Sequence, residues 1–204
     1  MITQGDPNTQ IQARSLNPPH KTAKTRWCVI TGGPGAGKST VIAELERRGY
    51  IVVHEVAREY IQQNRSQGGS LDQILSDQLS FQRQLVNILV KIEDALDHDI
   101  IVFLDRALPD AIGYFRNANL DPQELYPLFF VHRYYKVFCL EMLALTSCTK
   151  DEFRQEDIKK ALELERQILY GYQDIGYTVI LVPPMSLDER VDYILQNSVF
   201  CQDV

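Results

Sequence analysis

Apolar and polar positions fall along the chain in short blocks, and the first clear block is WCVIT at residues 27–31. It runs into a glycine-rich stretch, then a helical pattern from Ser39 to Arg48 closed by Gly49, then the apolar run YIVV at 50–53. That order is strand, loop, helix, strand. After the Gly68-Gly69-Ser70 break, Leu85, Ile88, Leu89, Ile92 and Leu96 recur at helical spacing, which predicts a long helix with an apolar stripe committed to core packing. Ser70 and Gln73 stand ahead of it at capping-box spacing. IIVFL at 100–104 is apolar throughout, as a strand covered on both faces of a parallel sheet must be. Helices are expected from Asp110 and from Asp121-Pro122, the latter with Asp as cap and Pro at the first helical position. KVFCL at 136–140 reads as a fourth strand. Ile158, Ala161, Leu162, Ile168, Leu169 and Tyr172 mark a helix over Glu156–Ile175, ended by Gly176. YTVILV at 177–182 gives a fifth strand, and Ser186 with Glu189 caps a last helix.

Strands alternating with helices over residues 27–196 predict an α/β fold with a mostly parallel sheet. Residues 1–25 are rich in Asn, Gln, Thr and Pro without periodicity and read as a flexible polar leader, which leaves residues 26–204 as a single domain. The longest apolar run, Ile100–Leu104, is far below the 18 or so residues of a membrane span, and no secretory signal is readable. A cytoplasmic protein without a membrane partner is the expectation. The chain carries a net charge of −6, and the leader leans positive, so the domain itself is more acidic than the whole. Such a domain repels a polyanion at long range, which argues against nucleic acid as a partner but not against a small phosphorylated ligand held by local donors. Cys28, Cys139, Cys148 and Cys201 form no C-x-x-C pair, lack histidines at ligand spacing, and read as buried reduced thiols. His20, His54 and His98 are isolated, while His132 and Arg133 read as structural.

Gly32-Gly33-Pro34-Gly35-Ala36-Gly37-Lys38-Ser39 satisfies G-x-x-x-x-G-K-[ST] and lies between an apolar strand and an amphipathic helix, the context this phosphate-binding motif needs. Its glycines let backbone amides turn inward around phosphate oxygens, and the helix N-terminus adds partial positive charge. Gly33, Pro34, Gly35, Ala36, Gly37, Lys38, Ser39 and Thr40 are therefore the expected nucleotide-binding residues. Lys38 neutralises the outer phosphates, Ser39 offers a hydroxyl to Mg²⁺, and Thr40 meets the innermost phosphate.

The reaction must be read from the carboxyl ends of the other strands, where ligands bind in open α/β sheets. Asp105, ending IIVFL, is placed as the second magnesium carboxylate, with Arg106 beside it. Glu55 sits where the chain leaves the second strand. It reads either as the group that accepts a proton from an acceptor hydroxyl or as a helix-start carboxylate. Arg58, three residues on, either holds an anionic substrate group or pairs with Glu55. The polar segment Thr146–Arg154 suits a mobile lid in which Thr149 and Glu152 cap a small helix. Its Arg154 either reaches the transferred phosphate or forms a surface salt bridge.

TGGPGAGKST, EVAREYI, FLDRALPDAIGYF, HRYYKVFCL, an Arg-x-Glu lid and GYTVILVP together resemble the AAA-type P-loop family that contains NadR-like ribosylnicotinamide kinases and related GTP-binding proteins. The resemblance covers about residues 26–196. It implies a three-layer α/β/α fold with a five-stranded parallel sheet in the kinase order 2-3-1-4-5. It also implies ATP-dependent transfer of a γ-phosphoryl group to a nucleoside-like or other small hydroxyl acceptor. By fold analogy, adenine would lie near Pro183 and Pro184.

Two function classes follow. In a small-molecule kinase using ATP and Mg²⁺, Lys38, Arg106 and Arg154 stabilise the transferred group while Glu55 and Arg58 meet the acceptor. In a regulatory NTPase the same loop acts through a protein partner. GTP is the less favoured nucleotide, because Thr149-Lys150-Asp151-Glu152 only approximates a guanine-reading T-K-x-D and Asp105-Arg106-Ala107-Leu108 is not D-x-x-G. A monomer or homodimer is expected.

Overall fold

The computed structural model describes residues 22–66, 68, 70, 76–142 and 152–198, with side chains from residue 157 onward in the last stretch. The readings made for His20, Gln73, Cys148, Cys201, the 146–151 segment and the Arg154 side chain lie outside the described residues.

Five strands form the sheet: β1 (Trp27–Thr31), β2 (Ile51–Val53), β3 (Val102–Asp105), β4 (Lys136–Leu140) and β5 (Val179–Val182). All pairings are parallel and the order is β2-β3-β1-β4-β5, the 2-3-1-4-5 arrangement. The helices are α1 (Lys38–Arg47), α2 (Val56–Ser66), α3 (Gln78–Ala95), α4 (Asp110–Asn117), α5 (Glu152–Asp174) and α6 (Leu187–Asn197).

Strand alternation sorts the core into two layers. Trp27 and Val29 of β1 pack with Val86, Phe115, Ile168 and Tyr172 from α3, α4 and α5. Cys28 and Ile30 face the other way, onto Val41, Leu45, Val191 and Ile194 of α1 and α6. The sheet is thus covered on both faces, which is why β1, β3 and most of β4 are buried at successive positions. Cys28 and Cys139 are buried free thiols, as expected.

Register brings the chemistry to one edge. Ile30 pairs with Asp105 and Thr31 with Cys139, so the chain leaves β1, β3 and β4 side by side. At the exit from β1, Gly32 has φ 135°, and a Cβ there would sit 2.6 Å from the Leu140 carbonyl oxygen. Only glycine fits this approach to β4.

Several elements differ from the pattern in the sequence. Gln123–Phe130 is a 3₁₀ helix, because Pro127 lies inside it and cannot donate to an α ladder. The Asp77 carboxylate caps α3 by accepting the Ser80 N–H at 3.0 Å. The most buried apolar face of α3 is Phe81, Val86 and Val90; Leu89 and Leu96 pack part-buried against the same core, as their spacing predicts, while Leu85 borders a cavity that Phe81, Val86 and Leu89 also line. On α5 the buried face is Leu164, Ile168 and Tyr172, whereas Leu162 is exposed. Ala23–Lys24, inside the stretch read as leader, pairs in parallel with His132–Arg133, and Thr25 is buried. Among the described residues no helix is long and apolar enough to cross a membrane.

Candidate phosphate-binding and acceptor site

The glycine-rich loop joins β1 to α1 with Gly35 and Gly37 at φ 78° and 87°, backbone that a side chain would strain. Lys38 opens α1 and is buried. Its Nζ donates to the Gly33 carbonyl oxygen at 2.8 Å, so it folds back over the loop. Burial, and then the neighbouring Arg106 cation, pull its pKa from 10.5 down to about 8. Ser39 Oγ donates to Asp105 Oδ2 at 3.2 Å. Asp105 Oδ1 is buried without a hydrogen-bond partner among the described residues. Burial and the facing Glu55 carboxylate raise the pKa of Asp105. A hydroxyl beside a carboxylate with one bare buried oxygen is a hard-oxygen donor pair that would suit Mg²⁺. No group of three or more His, Cys, Asp or Glu is placed to hold a metal among the described residues.

Two later helices grip the loop from outside. Glu165 of α5 accepts the Gly33 N–H at 3.0 Å. Arg190 of α6 donates to the Ala36 carbonyl at 2.6 Å and to the Glu141 carbonyl at 2.8 Å.

Beyond β3 the chain turns through Arg106 at φ 70°, a left-handed conformation in a non-glycine residue. Three partners hold it there. Arg106 donates to Asp110 Oδ1 at 2.9 Å and to Glu55 Oε1 at 3.3 Å, and its guanidinium lies 5.2 Å from the centre of the Tyr114 ring. Asp110 is a hub: it also accepts from Thr31 Oγ1 at 2.6 Å, from Tyr172 Oη at 2.6 Å and from the Ala107 N–H at 3.2 Å. Glu55 thus faces Asp105 and Arg106 across the end of β3. Arg58 is largely exposed and stands 3.6 Å from Glu55, a loose pair.

These groups border a narrow cavity of about 80 Å³. Its walls are Phe81, Leu85 and Leu89 of α3, Ala111 and Tyr114 of α4, and Val56 of α2, with Gln82 and Glu55 among the polar positions. On the far side of Glu55 a shallower groove of about 530 Å³ runs along Arg58, Ile61, Gln62 and Arg65.

The sequence model of one family, described as AAA domain, matches residues 27–190, which span the loop, the Asp105–Arg106 turn and Arg190. The chain belongs to the AAA-domain family.

No curated protein matches this AAA domain in sequence. Among solved structures it resembles deoxyadenosine kinase from M. mycoides, at 19% identity and TM-score 0.58, covering 84% of this chain and 97% of that one. Thymidylate kinase from Ehrlichia chaffeensis is similar at 12% identity and TM-score 0.58, with 86% and 99% covered. A NadR protein solved in complex with NR matches at 14% identity and TM-score 0.60, over 88% of this chain and 53% of the other, so the AAA domain spans about half of that protein. At these identities the likeness is one of fold.

Of the residues singled out in the sequence, Lys38, Ser39, Glu55, Asp105 and Arg106 come together at one strand edge. Arg58 lies at its rim. Pro34, Gly35 and Thr40 are exposed on the loop and at the start of α1. Asp110, Thr31, Tyr114, Tyr172, Glu165 and Arg190 were not anticipated. Arg106 and Asp110 do carry a local signal, standing four apart across a helix start. The others meet the AAA-domain site only through the fold.

Proposed function

We propose that this chain is a small-molecule kinase that moves the γ-phosphoryl group of ATP, with Mg²⁺, onto a hydroxyl of a nucleoside-like acceptor. The observation that carries the reading is the meeting of two half-sites at one sheet edge. Lys38, Ser39 and Asp105 stand on the phosphate side, and Glu55 with Arg106 stands on the wall of an apolar cavity. A regulatory NTPase has no use for an apolar cavity walled beside a carboxylate, whereas an enzyme holding an organic acceptor does. Nucleoside and nucleotide kinases among the structural neighbours support the same reading.

In this scheme the loop amides and the N-terminus of α1 hold the phosphate tail, and Lys38 exchanges the Gly33 carbonyl for the outer phosphates. Ser39 and Asp105 would hold magnesium, whose positive charge would offset that of the phosphates. Glu55 takes the proton of the acceptor hydroxyl. The acceptor oxygen forms its bond to the γ-phosphorus as the bond to the bridging oxygen breaks, and ADP leaves with that electron pair. Arg106, fixed by Asp110 and Glu55, stabilises charge on the transferred group, and Arg154, at the start of α5, adds to it. Arg58 at the rim contacts the acceptor. At about 80 Å³ the cavity has room for two or three waters, less than a whole nucleoside-like acceptor needs.

A thermal-shift panel of ATP, GTP and nucleosides with Mg²⁺, followed by transfer of γ-label from the best donor, tests this. MgATP is expected to stabilise the wild-type protein but not Lys38→Ala, and label is expected in one nucleoside of the panel. Glu55→Gln should slow transfer by about 10²-fold while stabilisation by MgATP persists. Slow hydrolysis with no label in any acceptor would return the protein to the regulatory class.

A further inference from the structure

We infer that Arg190 is the positioning residue of the phosphate loop: by holding the Ala36 carbonyl outward, it turns the Gly37 amide inward toward a nucleotide's phosphates and places an unneutralised positive charge behind them. The inference rests on the reading of the loop as a nucleotide site, and it concerns a residue in a helix that the motif does not contain.

The geometry begins with α6. Ser186 and Glu189 form a reciprocal capping box, and the Arg190 N–H donates to the Ser186 carbonyl, so the first turn that carries Arg190 is fixed. The residue is 2% exposed and its guanidinium lies against the loop. One guanidinium nitrogen donates to the Ala36 carbonyl and the other to the carbonyl of Glu141, just beyond β4, so Arg190 ties the loop to the sheet edge.

Peptide planarity gives this contact its direction. The described chain has no cis peptide, and a trans peptide points its carbonyl and its N–H to opposite sides. With the Ala36 carbonyl held outward by Arg190, the Gly37 N–H of the same peptide faces the concave side, where phosphate oxygens bind. Neighbouring peptides complete the pattern. The Gly33 N–H, which points away, is taken by Glu165. The Gly33 carbonyl faces Lys38, and its peptide partner Pro34 has no N–H to misdirect.

Charge supplies the second observation. Among the described residues no carboxylate pairs with Arg190, and the pull of Glu141 is outweighed by burial, which lowers the arginine's pKa. An arginine held by two neutral carbonyls is costly to bury, and a leucine or methionine would fill the same space without that cost. A polyanion on the other side of a thin loop is the partner that offsets it.

The test is calorimetry of MgADP and of adenosine against wild-type protein, Arg190→Met, Arg190→Lys and Lys38→Ala, with the fold checked by Trp27 emission. MgADP affinity is expected to fall by about tenfold or more in Arg190→Met, the scale of a lost charge-assisted hydrogen bond, and by a few-fold in Arg190→Lys, while adenosine changes by less than about twofold. If Arg190→Met does not fold, the same MgADP-to-adenosine comparison in Arg190→Lys decides. MgADP affinity within about twofold of wild type, or an equal loss for adenosine, overturns the role of Arg190. Wild-type protein that binds no MgADP overturns the nucleotide reading itself, a failure visible before any variant is compared.

Discussion

Burial holds the Lys38 ammonium near pKa 8 while its hydrogen-bond acceptor is the uncharged carbonyl of Gly33. Near pH 8.5 a substantial part of the empty protein therefore carries a neutral lysine, and an arriving phosphate tail restores its proton. MgADP binding between pH 8 and 9 is expected to take up protons, seen as a binding enthalpy that depends on the ionisation enthalpy of the buffer. Lys38→Ala should remove that dependence, and a wild-type enthalpy independent of buffer would contradict it. The stability sign follows. The folded pKa lies below the unfolded value of 10.5, so the folded state binds fewer protons between about pH 8 and 10.5. The cost of burying the charge is complete below pH 8 and is relieved as pH rises through that window. At this scale Lys38, Ser39 and Asp105 were legible because the motif and the strand end are local patterns. Asp110, Glu165 and Arg190 were not, because their partners Thr31, Gly33 and Ala36 lie 79, 132 and 154 residues away.

Helices α4 and α5 cross with their backbones touching. A Cβ on Gly113 would come within 2.6–2.8 Å of Ile168 atoms that include backbone, and one on Gly171 would come within 2.9 Å of Ile112 Cβ. The crossing matters because Tyr172 of α5 donates to Asp110 at the start of α4, and Asp110 in turn holds Arg106 and Thr31. Gly113→Ala improves helix propensity by about 1 kcal/mol, yet forces the two backbones apart. The overpacking wins, so a net loss of about 1–3 kcal/mol is expected in denaturant melts, and unchanged or higher stability would show that the crossing can yield. Strand and helix order were readable from periodicity, but which side of an amphipathic stripe meets the core was not. Leu89 and Leu96 pack against the core as their spacing predicts, but Leu85 of the same stripe borders the cavity, and the deepest burial on α3 falls to Phe81, Val86 and Val90. On α5 Ile168 and Tyr172 of the predicted stripe are buried, but Leu162 of the same stripe is exposed and Leu164, outside it, is buried in its stead. Spacing fixes a period, and packing chooses its phase.

The molecule as a whole is acidic, with a net charge of −6, and its site adds three carboxylates, Glu55, Asp105 and Asp110, against Lys38 and Arg106. Holding Asp105 ionised beside Glu55 in a buried place costs stability, as its raised pKa records. Because the folded pKa exceeds the unfolded one, this cost is full above the folded value and is relieved as pH falls through it. Asp105→Asn keeps an acceptor for Ser39 and removes the charge. The nucleotide-free variant is expected to melt higher, by about 2–4 °C per kcal/mol relieved, while the extra stabilisation that Mg²⁺ gives to bound nucleotide disappears. A lower melting point without ligand would show that the carboxylate contributes to the fold instead of burdening it.

Trp27 begins the strand whose other end becomes the phosphate loop, and its indole lies buried among His98, His132 and Tyr134. Five residues of extended chain set it about 15 Å from that loop, on the opposite rim of the sheet. Since it is the sole tryptophan, intrinsic emission from this protein is a gauge of whether the scaffold still stands and is deaf to what the loop is holding. A variant that goes silent toward ligand with its fluorescence unaltered has lost a grip, and one whose spectrum reddens has lost the hand.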